Sequence, residues 1–223
     1  MPNYEALRNK QTELIRKAVD GSVFIAPVTA PSIATLTVAA QAPATGFVLK
    51  ALPEGYDDLG WMTPDGAQFS RNVSSSDITS WGSIQPTRSD ITSDVTTLQV
   101  TAQETKLLTL GLATGADLAG LKTDPVTGEL KIAKPSRPKS KTYRVLTLAV
   151  DQGDFGEIYI ARFLPRAKVT SFAEQAFNGG DQAIQWGVTF TGEEDSTLGF
   201  SESYFFGGDG WQKLVEKMGF TKP

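Results

Sequence analysis

The chain has 223 residues, 40% of them hydrophobic, and a formal charge of −4 with no histidine and no cysteine. That length suits one large domain, or one domain with extended arms. Without His or Cys there is no Ser-His-Asp triad, no His- or Cys-ligated zinc, no thiol nucleophile and no disulfide. The acidic balance speaks against a general nucleic-acid binder.

No run of about 18 apolar residues suggests a membrane span. The first residues carry no apolar signal core, so synthesis and folding in a cytosol are expected.

Residues 1–20 predict a helical arm. Tyr4, Leu7, Leu14, Ile15 and Ala18 share one stripe, with Arg8, Lys10, Glu13, Arg16 and Lys17 outside it. Asp20-Gly21 ends the segment. A stripe this thin suits either an arm that docks on a neighbour or a helix packed on its own domain.

From residue 21 to the end the texture predicts a single β-rich domain. Strands are expected at 22–26, 35–40 and 47–51, separated by Pro27, Pro31 and the turn Pro43-Ala44-Thr45-Gly46. A Tyr-Asp-Asp-Leu-Gly-Trp turn follows at 56–61. A long polar loop is then expected, about 66–90, containing Ser70, Arg71, Asn72, Val73, Ser74 and Trp81. Loops of that length are usually functional or disordered.

A long Ser/Thr-rich strand is expected at 89–101. A helix should begin near Gln103, with Leu107, Leu110 and Leu118 towards the core, and Gly111 and Gly115 limiting its length. Asp124-Pro125-Val126-Thr127-Gly128 reads as a turn and 129–133 as a short strand. The surrounding stretch, about 122–141, is basic and proline-rich; it reads as a solvated loop or as a contact with an acidic neighbour.

Tyr143 to Val150 and Gly156 to Leu164 are the clearest strands, joined by a turn at 151–154. Both are apolar on more than one face, so they lie between two layers or against another chain. Further strands are expected at 183–192 and 198–206, with the turn Asn178-Gly179-Gly180-Asp181 before the first. Asp209 is placed to cap a final helix over 210–218.

Candidate chemistry is sparse. Asp154-Phe155-Gly156 spells a kinase-like triplet, and Gly199-Phe200-Ser201-Glu202-Ser203 a partial nucleophile elbow. Neither has the His or the companion motifs it needs. The acids Asp57, Asp58, Glu193, Glu194 and Asp195 sit in turn-like sequence, although paired carboxylates could serve a glycosidase. No Ca²⁺-loop pattern is present. No catalytic, cofactor-binding or metal-ligating residue is assigned. A β-sandwich carbohydrate-binding module using exposed Trp and Tyr is the alternative reading.

Three motif groups, in order along the chain, carry a resemblance. They are Tyr56-Asp57-Asp58-Leu59-Gly60-Trp61 with Asp65-Gly66; Trp81-Gly82 with Arg88 and the long strand into Glu104; and Asn178-Gly179-Gly180-Asp181 with Trp186 to Thr191 and Gly207 to Trp211. In them the chain resembles the major tail (tail tube) proteins of long, non-contractile-tailed bacteriophages, the lambda-type group and its actinobacteriophage members. The resemblance implies a β-sandwich or barrel-like fold with a flanking α-helix and short terminal helices. It implies hexameric rings stacked into a hollow tube that conducts DNA without binding it specifically, and no catalysis. The implied partners are further copies of the chain, the tape-measure protein, the tail terminator and the tail-tip proteins.

On this reading, Ser70, Arg71, Asn72, Val73, Ser74 and Trp81 contact the adjacent ring, together with Leu7 and Ile15 of the arm. Asp151, Asp154 and Glu157 belong to an inner sheet facing the lumen.

Overall fold

A computed structural model describes residues 3–137, 139–180 and 183–221. Pro138 of the basic stretch and Asp181 of the Asn178 turn lie outside the described residues. In chain order the elements are α1 (Tyr4–Leu7), a 3₁₀ turn (Thr12–Leu14), β1 (Asp20–Pro27), β2 (Thr37–Ala39), β3 (Phe47–Leu49), β4 (Asp57–Asp58), β5 (Gln68–Ile78), β6 (Arg88–Ala102), α2 (Leu107–Thr114), β7 (Thr142–Gly153), β8 (Gly156–Phe172), β9 (Trp186–Gly192), β10 (Ser203–Gly207) and α3 (Asp209–Leu214). The fold is mainly β, with few and short helices, as the sequence leads one to expect.

One antiparallel sheet organises the chain, in the order β4-β1-β7-β8-β9-β6-β5, with β10 also paired to β8. β2 and β3 form a separate small pair. Strand β8 is the pivot. Along one edge it pairs with β7; along the other it pairs first with β10, through residues 159–163, and then with β9, through residues 167–172. The sheet curls there, so strands far apart in its order face one another.

Two cores result, one on each face of β7–β8. Inside the curl, Val23 and Ile25 of β1 meet Leu98 and Val100 of β6, Val145 of β7, Leu164 of β8 and Phe190 of β9. Leu112 of α2 closes this core, and Tyr143 meets the Phe190 ring edge-on at 6.2 Å. On the opposite face, Leu146, Ala161 and Phe163 are covered by Ile33 and Leu36 and flanked by Leu49, Leu52 and Phe205. The hairpin β7–β8 therefore lies between two layers of its own chain, one of the two arrangements its doubly apolar sequence allows. Each fully buried Phe or Leu contributes about 1.5–3 kcal/mol of burial free energy.

Several local expectations are corrected. The N-terminal segment is not one helix: only Tyr4–Leu7 and a 3₁₀ turn form, and Leu7 and Ile15 stay exposed. Isolated helices shorter than about 12–15 residues are marginal, and this one has no core beneath it to make up the deficit. The expected strand at 129–133 is irregular and largely exposed; among the described residues no strand pairs with it.

Helix α2 starts at Leu107, and Leu107 itself is exposed while Thr109, Leu112 and Leu118 are buried. Gly115 ends this helix in a left-handed turn (φ 64°), whereas Gly111 lies inside it. Asp209 does not cap α3; its Oδ1 accepts the Phe47 N–H at 2.7 Å and so ties β3 to the start of that helix.

Candidate assembly surface

The stretch expected to be a loop at 66–90 is a β-ribbon. β5 and the first part of β6 pair continuously from Gln68↔Gln99 to Ile78↔Arg88, with one bulge at Ser74/Ser75. Only 79–87 remains as a loop. The sequence hides these strands because, beyond Phe69, both faces of the ribbon meet solvent. Nothing selects an alternation of apolar and polar residues where neither face is buried.

Ser70, Arg71, Asn72, Val73 and Ser74 all lie on β5 and are all exposed. Pairing divides them between two faces. Arg71 and Val73 share the side that, nearer the body, carries Phe69 and Leu98 into the core; Ser70, Asn72 and Ser74 share the other. Across from β5, Ile91 continues the first face. Arg71 forms a double hydrogen bond with Asp94, its Nε donating to Oδ1 at 2.7 Å. That contact holds the Asp94 carboxyl below its usual range and the guanidinium above its own.

At the tip, Thr87 N–H donates to the Ile78 carbonyl at 2.8 Å and closes the loop. Trp81 and Ile84 project there with essentially their whole surface in solvent.

The base of the ribbon is pinned by groups that sequence reasoning missed. Arg162 of β8 places its guanidinium 3.6 Å from the centre of the Phe69 ring and 4.8 Å from that of Tyr204. Its Nε donates to Glu202 Oε1 at 2.6 Å, and the Thr96 hydroxyl donates to Glu202 Oε2 at 3.0 Å. A cation between two rings with a mostly buried carboxylate partner is a firm joint. No sequence motif links 69, 96, 162, 202 and 204; only the fold brings them together.

The acids expected in the inner sheet cluster at the turn end of β7–β8 but differ in exposure. Asp151 is buried opposite Ile158. Asp154, in the two-residue turn, and Glu157 are exposed; Tyr159 donates its hydroxyl to Glu157, which with burial pushes the phenol up to about 12. Of the four tryptophans, Trp61 and Trp81 are exposed, and they sit on different elements. Among the described residues no group of three or more Asp or Glu is placed to hold a metal ion, and no helix is long and apolar enough to cross a membrane.

Residues 9–198 match the family described as "Phage tail tube protein". The chain belongs to that family. A search of curated proteins gave no match. Among solved structures, a chain from the virion of a native gene transfer agent particle aligns with this one over 67% of this chain and 88% of that chain, with 11% identity and a TM-score of 0.34. As a member of the phage tail tube family the chain is a structural tail protein.

Proposed function

We propose that this tail tube protein polymerises as stacked hexameric rings into a hollow tube that conducts DNA into the host, and that the β5–β6 ribbon joins one ring to the next. The observation that carries this reading is the ribbon itself. A two-stranded hairpin on its own is marginal in water, yet this one runs out from its joint at Arg162 with Trp81 and Ile84 bare at the tip. Among the described residues, nothing pairs with either of its edges beyond Thr97, which suits strand addition or groove docking on a neighbour. The sixfold number follows from the family resemblance.

The role is structural rather than catalytic. The tube grows around the tape-measure protein, and the tail terminator and tail-tip proteins bind its ends. The subunit is made in the host cytoplasm before entering the virion. The N-terminal segment with exposed Leu7 and Ile15 adds to the ring-to-ring contact. Asp154 and Glu157 face the lumen, where negative charge repels phosphate and lets DNA slide instead of being held by counterion release. Asp151, being buried, drops out of that role.

The test is a chain in which residues 73–94 are replaced by Asn-Gly, which closes the ribbon at its base. The expected product is a cooperatively folding monomer that forms no tubes under negative-stain electron microscopy. Tubes of normal length from this variant would overturn the ribbon's role.

A further inference from the structure

A groove of about 690 Å³ opens beside the start of β1, between that strand, β7 and the 58–67 segment. Three carboxylates line it: Asp20, Asp58 and Glu104. Glu104 accepts the Trp61 N–H at 2.7 Å and pairs with Lys106 at 3.2 Å. Among the described residues, Asp20 and Asp58 accept only from the backbone N–H groups of Gly21 and Gly60. Trp61 lies on the wall and is 78% exposed.

Two hydroxyls in the same lining have no hydrogen-bond partner, Thr63 Oγ1 and Thr147 Oγ1, and Thr63 is only 8% exposed. Buried hydroxyls are normally paired. An acidic groove with an open indole has the chemistry to take an extended, basic peptide.

The chain carries such a peptide. Lys131, Lys134 and Arg137 flank Pro135 in an exposed, irregular stretch, and among the described residues none of the three cations is in an ion pair with a carboxylate. Proline-rich segments favour the polyproline conformation, which docks on aromatic walls at little entropic cost.

In its own chain the basic stretch lies against α2 and the start of β9, with Ile132 and Lys134 lining a cavity alongside Ala113, Phe172 and Trp186, and none of its residues lines the acidic groove. A second copy set head to tail, the contact type that builds rings and filaments, can supply it.

We infer that the acidic Trp61 groove of one tail tube subunit receives the Lys131–Arg137 stretch of a second copy. Lysine and arginine meet Asp20 and Asp58, and Pro135 packs on Trp61. This inference rests on the self-assembly reading but names a contact separate from the ribbon.

The cysteine-free sequence gives a clean test. The full-length Trp61→Cys/Pro135→Cys variant, assembled and then oxidised, should run as a ladder of disulfide-linked multimers on a non-reducing gel. Adding Lys131→Glu, Lys134→Glu and Arg137→Glu should abolish the ladder. Mixing in a chain that carries Trp61→Cys with Asp20→Lys and Asp58→Lys should restore linked species, because that groove now accepts the reversed stretch.

Tubes that form normally with no ladder, or a ladder indifferent to charge reversal, would overturn the inference and leave the tube reading standing. So would a ladder from Trp61→Cys/Ser83→Cys in its place, which gives the groove to the ribbon tip. Absence of both tubes and ladder would overturn both.

Discussion

Along β6 two regions of the molecule meet in one strand. From Thr96 to Ala102 alternate residues are buried, and Leu98, Val100 and Ala102 pack in the curl of the sheet. From Arg88 to Asp94 every residue is exposed. The backbone is the same β-strand throughout, paired with β5 along most of its length. What changes is what lies across from it: a packed body on one side of Thr96, water on the other. Secondary structure is thus decided by pairing in both halves, but hydrophobic burial stabilises only one. The exposed half is held by strand pairing and by the joint at its base.

Substitutions should separate the two regions, with stability effects large in the body and near zero in the ribbon. Phe163→Ala empties a fully buried site and should cost about 3–5 kcal/mol, read as a lower urea midpoint with unchanged slope. Arg162→Ala leaves Glu202 buried and without its cation at the joint between the regions. It should cost about 3 kcal/mol and, in hydrogen exchange, deprotect β5 more than β7.

The pH dependence is smaller. Lys168, and to a lesser degree Arg166, holds the Glu193 carboxyl below its usual range. A depressed folded-state value means the stabilisation is present above the unfolded-state value, near 4.3, and is lost as pH falls through the folded one. The melting-temperature gap between the parent and Glu193→Gln should therefore be widest near neutrality and close on acidification. A gap that widened in acid would reverse the sign of this linkage.

Smallest for stability is Trp81→Ala with Ile84→Ala, within about 0.5 kcal/mol. Yet this pair should shorten or abolish tubes. A matching loss of stability would mean that the tip packs on its own body.

Legibility in the sequence follows the same division. β1, β7, β8 and β9 are readable because their Val, Ile, Leu and Phe runs answer to a core; the turn expected at 151–154 is instead Asp154-Phe155, with 151–153 still paired in β7. The ribbon is not, since Ser70 to Ser76 have no buried side to impose a period of two. Residues 4–19 have the right period for a helix, but among the described side chains only Gln11, Glu13, Leu14 and Arg16 are partly covered, too little to hold a helix, so period alone misleads there. Leu107 looked like a core residue and Leu112 took that place, because a stripe in sequence does not say which side of a short helix meets the sheet.

The Trp61 motif was visible as a resemblance. The groove beside it was not, because Thr63 and Thr147 become neighbours only when β7 lies against β1. Asp209 was read through local capping chemistry and is used over a long range, on Phe47.

The bulge at Ser74/Ser75 has a consequence for edge-to-edge pairing. A flat ribbon with free edges would zip onto any other ribbon it met, and subunits waiting in solution would form disordered fibres before a tube could start. One extra residue, Thr92, whose hydroxyl donates to the Ser74 carbonyl at 3.1 Å, breaks the even spacing of those edges and increases the local twist. Two bulged ribbons cannot keep register for long. A single irregular residue thus limits how far two such ribbons can pair edge to edge.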